Sequence, residues 1–198
     1  CHGPAHKIEK AADDGTRMSA MGQLKSCGKC HDEVVDSFKN SVHGEGLIKS
    51  GLTQAAPSCS DCHGTHNIQK HGEDKAKMGH LKSPETCGAC HTEVLKHWQD
   101  ESAHGLAWKE GREGPVCVDC HVVEHSVKDP TTAAARKAMP SECGDCHEKL
   151  MESFRDSFHG KATELGWSSV AMCSDCHTAH QNLPASDPAA LWKQYIQL

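Results

Sequence analysis

Six times the 198-residue chain repeats one pentapeptide pattern, Cys-x-x-Cys-His. The copies are Cys27-Gly-Lys-Cys30-His31, Cys59-Ser-Asp-Cys62-His63, Cys87-Gly-Ala-Cys90-His91, Cys117-Val-Asp-Cys120-His121, Cys143-Gly-Asp-Cys146-His147 and Cys173-Ser-Asp-Cys176-His177. Twelve of the thirteen cysteines lie inside them, where chance would supply about 0.07 copies at this Cys and His content. Thiols at i and i+3 share one face of a tight helical turn, where both can add to the two vinyl groups of one haem. The following His then lies under the ring, its imidazole directed at the iron. Zinc ribbons also pair Cys-x-x-Cys, but with about 15–20 residues between pairs and no need of a His after each second Cys. Thioredoxin-like pairs require a βαβ context, which this sequence does not present. The pattern therefore reads as six c-type haem attachment sites, with His31, His63, His91, His121, His147 and His177 as proximal ligands.

The spacing shows how these sites are positioned. Successive second cysteines are 32, 28, 30, 26 and 30 residues apart, because two kinds of half-repeat alternate. In the first kind the pentapeptide leads into a helix expected to end in His-Gly, at His43-Gly44, His104-Gly105 and His159-Gly160. Val34, Phe38 and Val42 fall at i, i+4 and i+8, as do Leu150, Phe154 and Phe158, which predicts one apolar helix stripe; the middle copy keeps only Val94 and Trp98. The Gly after each His suits a left-handed helix cap. In the second kind another His follows within three or four positions, at His66, His125 and His180. The result is three tandem repeats joined by loops with turn residues, such as Gly51 and Pro57, Gly111 to Pro115, and Lys128 to Pro140.

The six additional histidines match the six sites one for one. His43, His66, His104, His125, His159 and His180 are therefore read as distal ligands, making each complete haem bis-histidine. A lone His at a helix end is ordinarily a favourable C-terminal charge, but recurrence in all three repeats favours ligation. A His three residues after the proximal one is too close to circle its own ring, so it is expected to serve a neighbouring haem. Met18, Met21, Met78, Met139, Met151 and Met172 hold no fixed place in the repeats and read as gap-fillers.

The thirteenth cysteine opens Cys1-His2-Gly-Pro-Ala-His6, which has the form of the end of another second-kind half-repeat. Cys1, His2 and His6 are thus expected to belong to a seventh haem, with a preceding Cys three positions upstream in a longer protein. A lipidated N-terminal Cys is the competing reading; it explains Cys1 but neither His2 nor His6. Seven proximal and seven distal histidines leave His71, His80 and His97 as surface residues, with His71 a competitor for His66.

Composition agrees with an interior not made of side chains. Leu, Ile, Val and Phe number only 28, fewer than the 30 Cys and His together, and at about 14% fall below the level usual for a folded chain. A conventional enzyme core, a β-sandwich and a coiled coil are therefore disfavoured. The net charge of −6 offers no basic footprint for nucleic acid. No apolar run approaches the roughly 18 residues of a membrane span.

By these residues the chain resembles bacterial multihaem cytochromes c, especially families alternating Cys-x-x-Cys-His, Ser-x-His-Gly and Cys-x-x-Cys-His-x-x-His, such as decahaem electron conduits. Ser41-Val42-His43-Gly44, Ser102-Ala103-His104-Gly105 and Ser157-Phe158-His159-Gly160 carry the middle element. The resemblance covers most of residues 1–182. It implies a mainly α, loop-rich chain with little or no β-sheet, wrapped around closely packed haems c. It also implies haem attachment after export, hence a periplasmic or extracellular location. The expected layout is a remnant half-repeat and linker in 1–26, dihaem repeats in 27–82, 83–138 and 139–185, and a closing helix in 186–198. Ser186 or Asp187 would cap that helix, Pro188 would sit in its first turn, and Leu191, Trp192, Tyr195 and Ile196 would pack on the body or a partner.

Electron transfer in anaerobic or extracellular respiration is the leading functional expectation, because two axial imidazoles leave no open iron position for a substrate. Partners would be other redox proteins or cytochromes, or copies of the chain in a larger complex. Propionates adding about −1 per haem would take six-haem charge to about −12, favouring a basic partner surface. One rival is a fragment of a multihaem oxidoreductase acting on nitrite, hydroxylamine or a sulfur compound. Such enzymes usually mark a catalytic haem with a missing ligand or altered motif, and no complete motif here is altered. The other rival is a subunit of an extracellular cytochrome filament.

Overall fold

The structure, a computed structural model, describes residues 1–70, 73, 75–121, 125–184 and 186–190. About half the chain is helical and no strand occurs among the described residues, so the chain is mainly α. Among the described residues twelve short α-helices follow one another: α1 Ala20–Cys27, α2 Asp32–Lys39, α3 Val42–Ile48, α4 Cys59–His63, α5 Ser83–Gly88, α6 Thr92–Glu101, α7 Ala103–Lys109, α8 Cys117–Cys120, α9 Ala133–Gly144, α10 Glu148–Asp156, α11 Phe158–Glu164 and α12 Cys173–His177. None of the described helices is long and apolar enough to cross a membrane. The chain divides into two compact units, Cys1–Cys87 with His121–Lys128, and Gly88–Cys120 with Asp129–Leu198.

The two kinds of half-repeat become two kinds of local structure. A first-kind pentapeptide is an elbow: its first Cys lies at the end of α1, α5 or α9, and its His is the N-cap of α2, α6 or α10. The elbow is tight. A Cβ on Gly28 would lie 3.3 Å from Val35 Cγ2, on Gly88 2.2 Å from Leu95 Cδ2, and on Gly144 2.8 Å from Met151 Cγ. A residue seven positions on fills the space that glycine leaves in all three copies. A second-kind pentapeptide is instead a helical turn in its own right, as α4, α8 and α12.

The expected helix ending in His-Gly is corrected. Helices α2, α6 and α10 stop at Lys39, Glu101 and Asp156, and the His opens the next helix. Ser41, Ser102 and Ser157 are N-caps whose hydroxyls accept from the N–H of Gly44, Gly105 and Gly160 at 3.0, 2.8 and 3.1 Å. Each hydroxyl also donates back to a carbonyl of the preceding helix, Phe38, Trp98 or Phe154. The serine thereby satisfies two helix ends at once. Glycine is present for close approach rather than for a left-handed cap, since a Cβ there would lie 1.9–2.0 Å from those same carbonyl oxygens.

The predicted stripes change accordingly. Val34, Val42, Leu150, Phe158 and Val94 are exposed, whereas Val35 and Trp98 are buried, because the chain turns at the serine and ends the i+4 register. Lys128 to Pro140, expected as loop, is helical from Ala133: the Ala-Ala-Ala-Arg-Lys-Ala run favours helix, and Thr132 caps it by accepting from Ala135 N–H at 3.2 Å. Ser186–Ala190 form a turn in which Asp187 accepts from Ala189 N–H at 2.8 Å. The rest of the expected closing helix, including Leu191, Trp192, Tyr195 and Ile196, lies outside the described residues, as does His71.

Buried side chains are few and small. One buried apolar cluster joins Leu24, Val35 and Leu47, with Ala20, Phe38, Ala56 and Cys59 packed around it.

Candidate functional site

None of the thirteen cysteines is in a disulfide, and none is more than partly buried. Within a pentapeptide the backbone brings the two thiols and the His around one turn. Cys30 N–H donates to Cys27 C=O at 3.1 Å and His31 N–H to the same oxygen at 3.0 Å; Cys146 and His147 repeat this on Cys143 at 3.4 and 2.9 Å. In the second kind, an Asp before the second Cys caps the turn. Asp61, Asp119 and Asp175 accept from the N–H of Ser58, Val116 and Met172 at 2.7, 2.7 and 2.8 Å. The Asp recurs at that place in Cys59, Cys117 and Cys173 pentapeptides, so the signal was present in the sequence although its capping role was not read there.

Tertiary packing then sets the two pentapeptides of one repeat side by side. In the first repeat α1 packs on α4, where Gln23 donates to Ser60 Oγ at 3.0 Å and accepts from Ser60 N–H at 2.9 Å. Cys27 hydrogen-bonds Cys59 there, and burial with this neighbour pushes the Cys59 thiol up to about 11. In the third repeat α9 packs on α12, and Arg136 donates to Asp175 Oδ2 at 2.8 Å and Ser168 C=O at 3.2 Å. The hydrogen bond from Cys143 lowers Cys173 to about 7 and raises Cys143 itself. The first thiols of neighbouring pentapeptides therefore touch in both repeats.

Three pairs of imidazoles lie close together with their planes near parallel. His2 lies beside His66 with ring centroids 5.9 Å apart and planes 23° from parallel. His63 and His125 are 5.7 Å apart at 15°, and His104 and His147 are 6.1 Å apart at 27°. Each pair joins a pentapeptide histidine, or His2 of the partial one, to a distal candidate from a different half-repeat. Two imidazoles trans on one iron, with metal–nitrogen bonds of about 2.0 Å and about 1.1 Å more to each ring centre, have centroids about 6.2 Å apart. Among the described residues no three His, Cys, Asp or Glu side chains converge on a common metal position. Histidines arriving two at a time suit a metal whose other ligands come from a ring, as in haem.

His104 is half-buried beside His147. Burial, followed by the neighbouring His147, holds His104 below its usual value and favours its neutral form. Asn182, absent from the sequence expectations, places its amide nitrogen 3.0 Å from His104 Nδ1 while its buried Oδ1 has no partner. A half-turn of the amide lets Nδ1–H donate to Oδ1 and leaves Nε2 as the free lone pair, the tautomer a metal-ligating histidine requires. In the other unit, Thr65 Oγ1 lies 3.4 Å from His66 Nδ1.

The remaining candidates are placed less completely. His6, His31 and His159 are exposed. His43, His91, His121, His177 and His180 each lie on or beside the helices given above. His97, expected as a surface residue, is held by Glu101 at 2.8 Å and Gln181 at 2.7 Å on its Nδ1, and His80 is exposed. Comparison with protein-family models, curated proteins and solved structures finds no match to this chain.

Proposed function

We propose that the chain is an electron-transfer protein holding at least six covalently attached c-type haems, with a seventh at Cys1 and His2. The observation that carries this reading is the set of three imidazole pairs at the separation of trans ligands on one iron. Thiols at i and i+3 beside His31, His63, His91, His121, His147 and His177 supply two thioether anchors each, and the contact of Cys27 with Cys59 and of Cys143 with Cys173 brings neighbouring anchors together. The exposed apolar residues Val34, Val42, Val94 and Leu150 are surfaces against which such rings would pack.

When bound, haem iron supplies one-electron redox chemistry; the protein's part is to hold each ring, fill both axial positions and keep adjacent rings close. Asn182 orients one axial imidazole, and the caps at Asp61, Asp119 and Asp175 fix the turns that carry the thiols. Two imidazole ligands without Met favour low potentials, suited to anaerobic or extracellular respiration, with other cytochromes or redox proteins as partners after export. Intact mass and ferric electron paramagnetic resonance of the exported protein test this: six or more covalent haems with low-spin signals are expected. Fewer than six would overturn it.

A further inference from the structure

We propose that Asn182 lowers the reduction potential of one c-type haem, the one attached at Cys143 and Cys146 between His147 and His104, by accepting a hydrogen bond from His104 Nδ1. The inference rests on the haem reading above and adds what sets this site apart from its counterpart in the preceding repeat.

The residue two positions after each second-kind distal candidate contributes a carbonyl and a side chain, and only the carbonyl contact recurs. Val42 N–H donates to Val127 C=O and Ala103 N–H to Asn182 C=O, both at 2.9 Å. Val42 and Ala103 open α3 and α7, each directly after a Ser N-cap and directly before a distal candidate, His43 or His104. The tail of one repeat is thus tied to the first-kind half of the repeat before it. Any residue's carbonyl makes this tie, so the fold does not call for an amide side chain at the tail. The three tail positions hold Ile68, Val127 and Asn182. Hydrocarbon side chains neither donate nor accept, whereas an amide does both. The third repeat alone therefore places a hydrogen-bonding side chain there.

That side chain meets the imidazole. Asn182 Nδ2 lies 3.0 Å from His104 Nδ1, and Oδ1 is buried without a partner. When Nε2 is the metal-ligating atom, Nδ1 carries the ring proton and calls for an acceptor. Turning the amide supplies Oδ1 as that acceptor and ends its isolation, which is costly for a buried oxygen. His147, with its ring centroid 6.1 Å from that of His104, is the opposite imidazole. An acceptor on Nδ1–H draws the proton outward and makes the ring a stronger donor through Nε2. A stronger donor stabilises ferric over ferrous iron, so the potential falls; hydrogen bonding behind the axial ligand is one of a protein's levers on haem potential. Half-burial of His104 limits competition from water and strengthens the bond.

The test is a potentiometric titration of the haem-loaded protein, followed by ferric paramagnetic resonance. The low-spin signal lost in His104→Ala assigns the site. Asn182→Val copies the residue of the preceding repeat and keeps the backbone carbonyl; the signal should persist and its potential rise. The ferric-to-ferrous equilibrium should shift by about tenfold, which is about 59 mV for one electron. Asn182→Thr has the shape of Val with a hydroxyl acceptor and should lie between Val and the wild type. The potentials of the other signals should not move. An unchanged potential in Asn182→Val with six haems attached would overturn the proposal. So would a high-spin signal at the site in that variant, because Asn182 would then hold His104 in place rather than tune it. Retention of every low-spin signal in His104→Ala would overturn it as well. Should Asn182→Val fail to load six haems, Asn182→Ala takes its place under the same criteria. Fewer than six covalent haems in the wild type would instead overturn the underlying haem reading.

Discussion

Two residues in equivalent places show how far local chemistry is stretched. Gly64, after His63, has φ 81° and ψ −173°; Thr178, after His177, has φ 61° and ψ 165°. That region is essentially reserved for glycine and costs another residue about 1–3 kcal/mol. Thr178 Oγ1 is also buried without a partner. Thr178→Gly is expected to stabilise the protein by about 1 kcal/mol after glycine's entropy cost, raising Tm by about 2–4 °C in thermal melts. Gly105→Ala should act the other way, because its Cβ would lie 1.9 Å from Trp98 C=O, a backbone atom that cannot step aside. A loss of about 1–3 kcal/mol is expected, read as a lower Tm or a lower yield of fully loaded protein. Neither position could be ranked from the sequence, where Thr178 is an ordinary polar residue and Gly105 looked like a helix cap.

Helices here are too short to persist alone, so ties between them decide where the thiols sit. The third repeat relies on Arg136 and Asp175, whose side chains are 30% and 37% exposed. Arg136 holds the Asp175 carboxyl below its usual value, yet at that exposure the ion pair contributes under about 1 kcal/mol. Asp175 also caps α12 through Met172 N–H, and loss of such a cap costs about 1 kcal/mol. Asp175→Ala is therefore expected to destabilise by about 1–2 kcal/mol and Arg136→Ala by roughly half that. Equal effects in denaturant titrations would show that the cap contributes nothing. The helix positions after each first-kind His were legible from apolar spacing. Their ends were not, because the serine that stops one helix and starts the next acts through hydrogen bonds rather than hydrophobic period.

For the whole molecule, the buried apolar set is small and includes the cluster of Leu24, Val35 and Leu47. Such a core cannot offset backbone ordering, which costs about 1–2 kcal/mol per residue. Chain produced without haem attachment is expected to show no cooperative thermal transition and little fixed tertiary signal by near-ultraviolet circular dichroism; a sharp transition would show that the side chains suffice. Pairing across repeats makes a second prediction. His125→Ala should turn the haem of the Cys59–Cys62 pentapeptide high-spin and leave that of Cys117–Cys120 unchanged in paramagnetic resonance. The reverse result would undo the pairing seen at 5.7 Å between His63 and His125.

What the amino-acid order determined alone is the grouping of thiols and imidazoles. Cys at i and i+3 with His at i+4 converge within one turn, so covalent geometry and helical pitch suffice to group twelve thiols with six histidines. The alternation of two half-repeats was equally visible, as was the absence of an ordinary core. Only the tertiary structure decided which histidine lies beside which. His2 with His66, His63 with His125 and His104 with His147 meet across 64, 62 and 43 positions of sequence. No local period encodes such a distance; it goes with long-range ties such as Asn182 on His104 and Val42 N–H on Val127 C=O. The same packing leaves His159 exposed beside Phe158, whereas His104, identical in motif, is half-buried against Asn182.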